Sequence, residues 1–145
     1  MILYLDASVL AALFVNDIFS RRAAQLIGQP EADFLVSDFA SAEFASVIAR
    51  LVRMKAFGAD RARAGFADFD TWTARASQRV ATHSADIRAA EAILRRLDLN
   101  LRAPDALHLA IAQRSGAILA TFDDRMALNA QILEVRVLGV GGAVA

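Results

Sequence analysis

Ile2-Leu3-Tyr4-Leu5 is an unbroken apolar run that stops at Asp6. Such a run ending on a charge predicts a buried strand with the aspartate at its end. Val9, Leu10, Leu13 and Phe14 then recur at the 3.6-residue period, which predicts a short helix from Val9 to Val15. Ser20 is placed to cap a second helix through Ile27, ended by Gly28-Gln29-Pro30. Phe34-Leu35-Val36 predicts a second strand, followed by two good N-cap residues, Ser37 and Asp38.

Phe44, Val47, Ile48, Leu51 and Val52 form one stripe of a helix expected from about Phe39 to Phe57, with Gly58 closing it. Asp60 is suited to start a further helix carrying Phe66, Phe69 and Trp72. The two read as an antiparallel pair. Their apolar faces suit either packing on this chain's own sheet or a groove for a partner segment. Val80 to His83 is a weak strand signal. Ser84 is placed to cap a helix with Ile87, Ala90, Leu94 and Leu97, and Pro104 fits the first turn of the next, which runs to about Arg114. Ala117 to Thr121 is a clear apolar strand, followed by a short helix and a last strand at 135–138. Strands alternate with helices throughout, which predicts an α/β fold with a mostly parallel sheet of about four to five strands. The length of 145 residues, without linker or repeat, fits a single domain spanning 1–145, with 139–145 a loose tail.

Composition narrows the chemistry. There is no Cys and there are only two His, which removes disulfides, thiolate zinc sites and cysteine nucleophiles. Formal net charge is zero, so the chain does not coat nucleic acid through bulk charge. Fifteen of its sixteen basic residues are Arg, a side chain suited to bidentate phosphate contacts. The N-terminus has no basic leader and no apolar stretch is long enough to span a bilayer. The expectation is a soluble, cytoplasmic protein.

Four acids stand out. Asp6 and Asp123 each follow an apolar strand, while Glu43 and Asp105 each lie early in a helix. In a parallel sheet, helices begin at the edge where strands end, and sites form there. The four can therefore converge. Clustered carboxylates repel unless protons or cations neutralise them, and an all-oxygen donor set suits Mg²⁺ or Mn²⁺. Such ions activate water and steady a phosphodiester, the chemistry of a metal-dependent nuclease. Each acid alone also reads as a helix cap or a solvated edge. Asp124, beside Asp123, leaves the fourth acid ambiguous.

Leu5-Asp6-Ala7-Ser8, Glu43, Arg102-Ala103-Pro104-Asp105-Ala106-Leu107-His108-Leu109-Ala110 and Thr121-Phe122-Asp123, in this order and over nearly the whole chain, resemble the PIN-domain ribonucleases. The likeness is to the VapC-type toxins of bacterial toxin–antitoxin pairs in particular. The resemblance implies a PIN-like three-layer fold and a Mg²⁺- or Mn²⁺-dependent endoribonuclease that leaves a 5′-phosphate and a 3′-hydroxyl. It implies Asp6, Glu43, Asp105 and Asp123 as catalytic and metal-binding acids, with Asp123 preferred over Asp124 because it completes Thr-x-Asp. Ser8 and Thr121 match the supporting hydroxyl positions. It further implies an RNA substrate (tRNA, rRNA or mRNA), a cognate antitoxin protein, operator DNA bound only through that antitoxin, and a homodimer.

Arg102 and Arg125 flank two of the acids and are candidates for RNA phosphate contacts. His108, one turn after Asp105, either faces the site or is a satisfied core histidine. His83 reads similarly. Two other functions fit parts of the pattern. One is a haloacid-dehalogenase-like phosphohydrolase using Asp6 as nucleophile. That pattern wants an aspartate where Ser8 stands, and a lysine before the acidic pair, whereas the only lysine is Lys55. The other is a non-catalytic α/β binding module whose acids are caps.

Overall fold

A computed structural model of the chain describes residues 1–139. Five strands are found among them: β1 (Ile2–Leu5), β2 (Asp33–Ser37), β3 (Ser77–Val80), β4 (Ile118–Ala120) and β5 (Val137–Leu138). They form one sheet in the order β3-β2-β1-β4-β5, and every pairing is parallel. The helices are α1 (Ala7–Phe14), α2 (Ser20–Ile27), α3 (Asp38–Arg53), α4 (Ala59–Ala76), α5 (Ser84–Leu94), α6 (Ala103–Arg114) and α7 (Asp124–Ile132). The α/β class and the parallel sheet are as the pattern predicts, and the three-layer arrangement is as the resemblance implies. The expected loose tail, beyond Gly139, lies outside the described residues.

Strand alternation divides the core between two layers. Leu3, Leu5, Phe34, Val36, Ile118 and Ala120 point to one face, against Val9, Leu10, Phe44, Ile48 and Phe69 of α1, α3 and α4. Tyr4, Leu35 and Leu119 point to the other, against Leu109, Ile111, Met126 and Ala130 of α6 and α7. A sheet covered on both faces needs strands that are apolar at every position, which is why β1, β2 and β4 read as continuous runs. Phe14 meets Phe44, Phe69 and Trp72 edge-on, with centroids 5.6–5.9 Å apart. The stripe of the α3–α4 pair is thus partly core: Phe44 and Phe69 are buried, whereas Val47 and Leu51 line a surface cleft.

The chain runs β1, β2, β3 outward on one side and then crosses back to place β4 on the other side of β1. The helix after β1 packs on one face and the helix after β4 on the other. Beyond the carboxyl ends of β1 and β4 the connections therefore diverge, and a crevice is built into the topology.

Several boundaries differ from the sequence pattern. Ser20 is the first residue of α2, not its cap; its hydroxyl accepts from Asp17 N and donates to the Val15 carbonyl, securing the preceding turn. Helix α3 stops at Arg53, and the chain turns through Lys55 at φ 58°. Gly58 then serves as the N-cap of α4 instead of closing α3. The third strand is Ser77–Val80, earlier than expected. It is a sheet edge whose middle residues are exposed, so it carries no apolar run to mark it. His83, not Ser84, caps α5, with Asp86 reaching back to accept from its N–H.

Asp86 also fastens the second helical layer. Its carboxylate is buried and takes two bonds from Arg114 of α6, at 2.6 Å and 2.9 Å, while Arg114 donates to the Ala81 carbonyl at 2.8 Å. Burial pushes the Asp86 carboxyl upward, but the Arg114 and His83 contacts outweigh it and hold it below the ordinary carboxylate range. A depressed pKa contributes stability above the unfolded value, lost as pH falls through the folded one. Arg114→Met strands a buried charge and is expected to cost about 3 kcal/mol at pH 7, on the order of 10 °C in thermal midpoint. The gap to wild type should shrink below about pH 4 as Asp86 takes a proton; thermal unfolding across pH checks both, and an unchanged midpoint at pH 7 would refute the pairing's role.

Candidate functional site

Asp6 follows β1 and is the N-cap of α1. Its Oδ1 accepts from Ser8 N at 2.9 Å, Val9 N at 3.1 Å and Ser8 Oγ at 2.5 Å. The side chain belongs to a residue only 3% exposed. Burial pushes the carboxyl above its ordinary range, although the nearby His108 ring and the Ser8, Thr121 and Val9 contacts draw it down. An acid with these surroundings is short of positive charge.

Ser8 joins the two central strand ends. Its hydroxyl donates to Asp6, accepts from Phe122 N at 3.0 Å, and lies 3.5 Å from Thr121 Oγ1. Thr121 Oγ1 in turn accepts from Asp123 N at 3.0 Å. Asp123 caps α7, its Oδ1 accepting from Arg125 N and Met126 N. Asp124 is the first residue of α7 and is exposed, whereas Asp123 lines the cleft.

Asp105 lies in the first turn of α6, where its Oδ2 accepts from Arg102 N at 2.9 Å. Arg102 is exposed there. Arg125 turns inward: its guanidinium stands 3.4 Å from Asp105 and 3.9 Å from Asp123. Glu43, in the second turn of α3, pairs through Oε1 with His108 Nε2. His108 is buried, so it is both a satisfied core histidine and a partner of a candidate ligand. A cleft of about 520 Å³ opens over Ser8, Glu43 and Asp123, bordered by Arg50 and by Phe19 stacked on Phe122 at 5.0 Å.

The fold therefore gathers Asp6, Ser8, Thr121 and Asp123 into one bonded cluster, joins Asp105 to Asp123 through Arg125, and sets Glu43 on the same cleft. Among the described residues, no three acids or histidines stand close enough to form a ready metal cage. The donor chemistry nevertheless fits a hard divalent cation: the candidate ligands offer carboxylate oxygen only, one is buried without a compensating cation, and a guanidinium already occupies the space between two others. Sequence pattern does not single out Tyr4, whose hydroxyl bonds His108 Nδ1 at 2.7 Å and Ser37 Oγ at 2.8 Å. The available signal is a lone tyrosine in an aliphatic buried strand, a residue that needs a polar partner.

The PIN-domain family profile matches residues 3–131. The chain belongs to the PIN-domain family. No curated protein is significantly similar in sequence. Among solved structures, the sarcin–ricin-loop-cleaving toxin VapC20 of Mycobacterium tuberculosis has TM-score 0.69 at 21% identity, covering 88% of this chain and 94% of that one. VapBC2 of Rickettsia felis, bound to a DNA fragment from its promoter, has TM-score 0.69 at 12% identity, covering 96% and 98%. FitAcB of Neisseria gonorrhoeae has TM-score 0.63 at 18% identity, covering 90% and 94%. These identities carry the fold. No helix among the described residues is long and apolar enough to cross a membrane.

The raised Asp6 pKa gives a stability test. An acid that holds its proton more tightly when folded contributes stability below its unfolded pKa and loses it as pH rises through the folded one. Asn caps a helix as well as Asp does, so Asp6→Asn keeps the cap and removes the buried charge. In chelator at pH 7 the variant is expected to melt a few degrees above wild type, the two converging below about pH 4. A variant less stable than wild type at pH 7 would show that the hydrogen bonds to Asp6 outweigh its burial.

Proposed function

We propose that this PIN-family chain, read as one PIN-like unit, is a divalent-metal-dependent endoribonuclease acting as the toxin of a toxin–antitoxin pair. The observation that supports the reading best is the bonded cluster of Asp6, Ser8, Thr121 and Asp123 at the ends of β1 and β4, with Arg125 linking Asp123 to Asp105 and Glu43 on the same cleft. Asp6, Asp105 and Asp123 would hold Mg²⁺ or Mn²⁺, with Glu43 as a further ligand or as the group orienting the attacking water. When bound, such an ion supplies a more acidic water and neutralises phosphate charge.

The chain's own residues do the rest. Ser8 fixes the Asp6 carboxylate, and Thr121 fixes the backbone entering Asp123. Phe19, Phe122 and Arg50 border the space where a strand of RNA would lie, Arg and aromatic rings being the side chains that grip single strands. Arg125 balances the charge of Asp105 and Asp123, and a cation held by those acids would leave it available to a phosphate. Arg102 is exposed beside Asp105 and suits a phosphate contact.

The similar structures include a toxin that cleaves the sarcin–ricin loop and VapBC and FitAcB assemblies, one of them with promoter DNA. By that likeness the proposal extends to a cognate antitoxin, to operator DNA reached through it, to a homodimer and to a cytoplasmic location. The groove between α3 and α4, lined by Ile48, Val52, Ala62 and Phe66, is one apolar surface for such a partner. No observation favours a phosphohydrolase: Ser8 stands where that pattern needs a second aspartate, and the only lysine, Lys55, lies in the turn after α3.

Purified, antitoxin-free protein should cut RNA with Mn²⁺ or Mg²⁺ and stop on chelation. Asp6→Asn should lose roughly 100-fold or more, the scale of a lost charge contact at a reacting group. Full cleavage by a folded Asp6→Asn protein would sink the assignment.

A further inference from the structure

A single hydrogen-bonded file of side chains crosses the interior beneath the acids. Ser37 Oγ accepts from Ala40 N at 2.9 Å and meets Tyr4 Oη at 2.8 Å. Tyr4 Oη meets His108 Nδ1 at 2.7 Å, and His108 Nε2 meets Glu43 Oε1. Ser37, Tyr4 and His108 are all buried, at 0%, 0% and 2% exposure, while the Glu43 side chain is 31% exposed and opens on the cleft.

The donors follow from valence. An ionised carboxylate only accepts, so His108 Nε2 carries the proton shared with Glu43. In a neutral imidazole Nδ1 then accepts, and Tyr4 must donate to it. The tyrosine oxygen is left to accept from the Ser37 hydroxyl, whose own oxygen accepts from Ala40 N. Every polar atom in the file is satisfied in this one direction, and burial leaves water no place in it.

From this geometry we infer that Ser37, Tyr4 and His108 are positioning residues that pin Glu43 Oε1 and present its second oxygen to the cleft for the cation. The inference rests on the proposed metal-dependent function. Tyr4 lies two residues before Asp6, and His108 lies three after Asp105 on the same helix. One file thus fixes the relative placement of β1, α3 and α6, which bear three of the four acids. Without it, a half-exposed glutamate would sample many rotamers, and a cation would have to pay the ordering cost on binding. Partners that orient a metal's ligands from behind typically matter 10–100-fold in affinity.

The test is Mn²⁺ binding by titration calorimetry, beside ¹⁵N NMR of the His108 ring in the metal-free protein. The wild-type ring is expected to carry its proton on Nε2. His108→Leu should bind Mn²⁺ about 10–100-fold more weakly, and His108→Gln, whose amide N–H can still reach Glu43, should recover part of the loss. Tyr4→Phe keeps the ring in the core and drops only the hydroxyl; it should weaken binding in the same direction and shift the His108 nitrogens, so the test survives should His108→Leu not fold. Unchanged Mn²⁺ affinity and unchanged His108 signals in folded Tyr4→Phe, or a wild-type ring with no proton on Nε2, would overturn the inference alone. A wild-type protein that binds no Mn²⁺ would overturn the proposed function, and this role with it.

Discussion

Parallel pairing of β1 with β2 on one side and β4 on the other is the constraint on which the site depends. Leu3 lies opposite Phe34 and Ile118, and Tyr4 opposite Leu35 and Leu119. This register brings the ends of three strands to one edge. It also sends Leu3 and Leu5 to the α1–α3–α4 layer and Tyr4 to the α6 layer. A one-residue slip of β1 would exchange those faces. It would drive the Tyr4 hydroxyl among Phe44, Phe69 and Leu10 and part the Ser8 hydroxyl from Phe122 N. Both faces being buried, the register is fixed by the whole core and not by the acids themselves.

Charge then makes the same edge costly. Among the described residues Asp6 is buried with three hydrogen bonds but no ion pair, and Asp105 and Asp123 share one guanidinium. The opposite end of the second layer shows what the chain does where a buried acid serves structure alone: Asp86 receives a bidentate arginine and its pKa falls. Asp6 receives no such partner and its pKa rises. The contrast within one small molecule marks the β1 edge as a place where stability is given up, as functional sites commonly require.

Legibility in the sequence followed burial. Strands β1, β2 and β4 are read directly because both their faces are covered, so every position is apolar. The edge strand β3 has exposed Gln78 and Arg79 and offers no such run. A left-handed turn after a helix can be marked by glycine, as Gly116 with φ 63° follows α6, but at Lys55 a non-glycine takes φ 58° and nothing marks the turn. Ser20 and Ser84 have the chemistry of caps, yet Phe19 and His83 occupy the cap positions. Of the candidate site, the acids stand out in the sequence because each follows an apolar strand or lies early in a helix. The file from Ser37 to Glu43 does not, since its contacts span 104 and 65 residues and no local spacing encodes them. Nor does the inward turn of Arg125, which pattern alone offered as a phosphate contact.

The reading of these acids as caps and the reading of them as ligands are compatible once the atoms are separated. The hydrogen bonds that fix each carboxylate fall on one oxygen: Oδ1 in Asp6 and Asp123, Oδ2 in Asp105, and Oε1 in Glu43. A carboxylate has two oxygens and about four lone-pair directions. Capping a helix, or resting on His108, orients the group and uses part of that capacity. The rest of that capacity remains for a cation, and Glu43 and Asp123 line a crevice that the topology opens for its own reasons. Helix starts collect at the carboxyl edge of a parallel sheet, acids are favoured at helix starts by the backbone's exposed N–H groups, and three of the four acids stand in such a position. Folding thus concentrates preoriented negative charge at one edge without any ligand being needed to assemble it. A cation there would complete an arrangement whose main cost, the burial of Asp6, has already been met by the core around it.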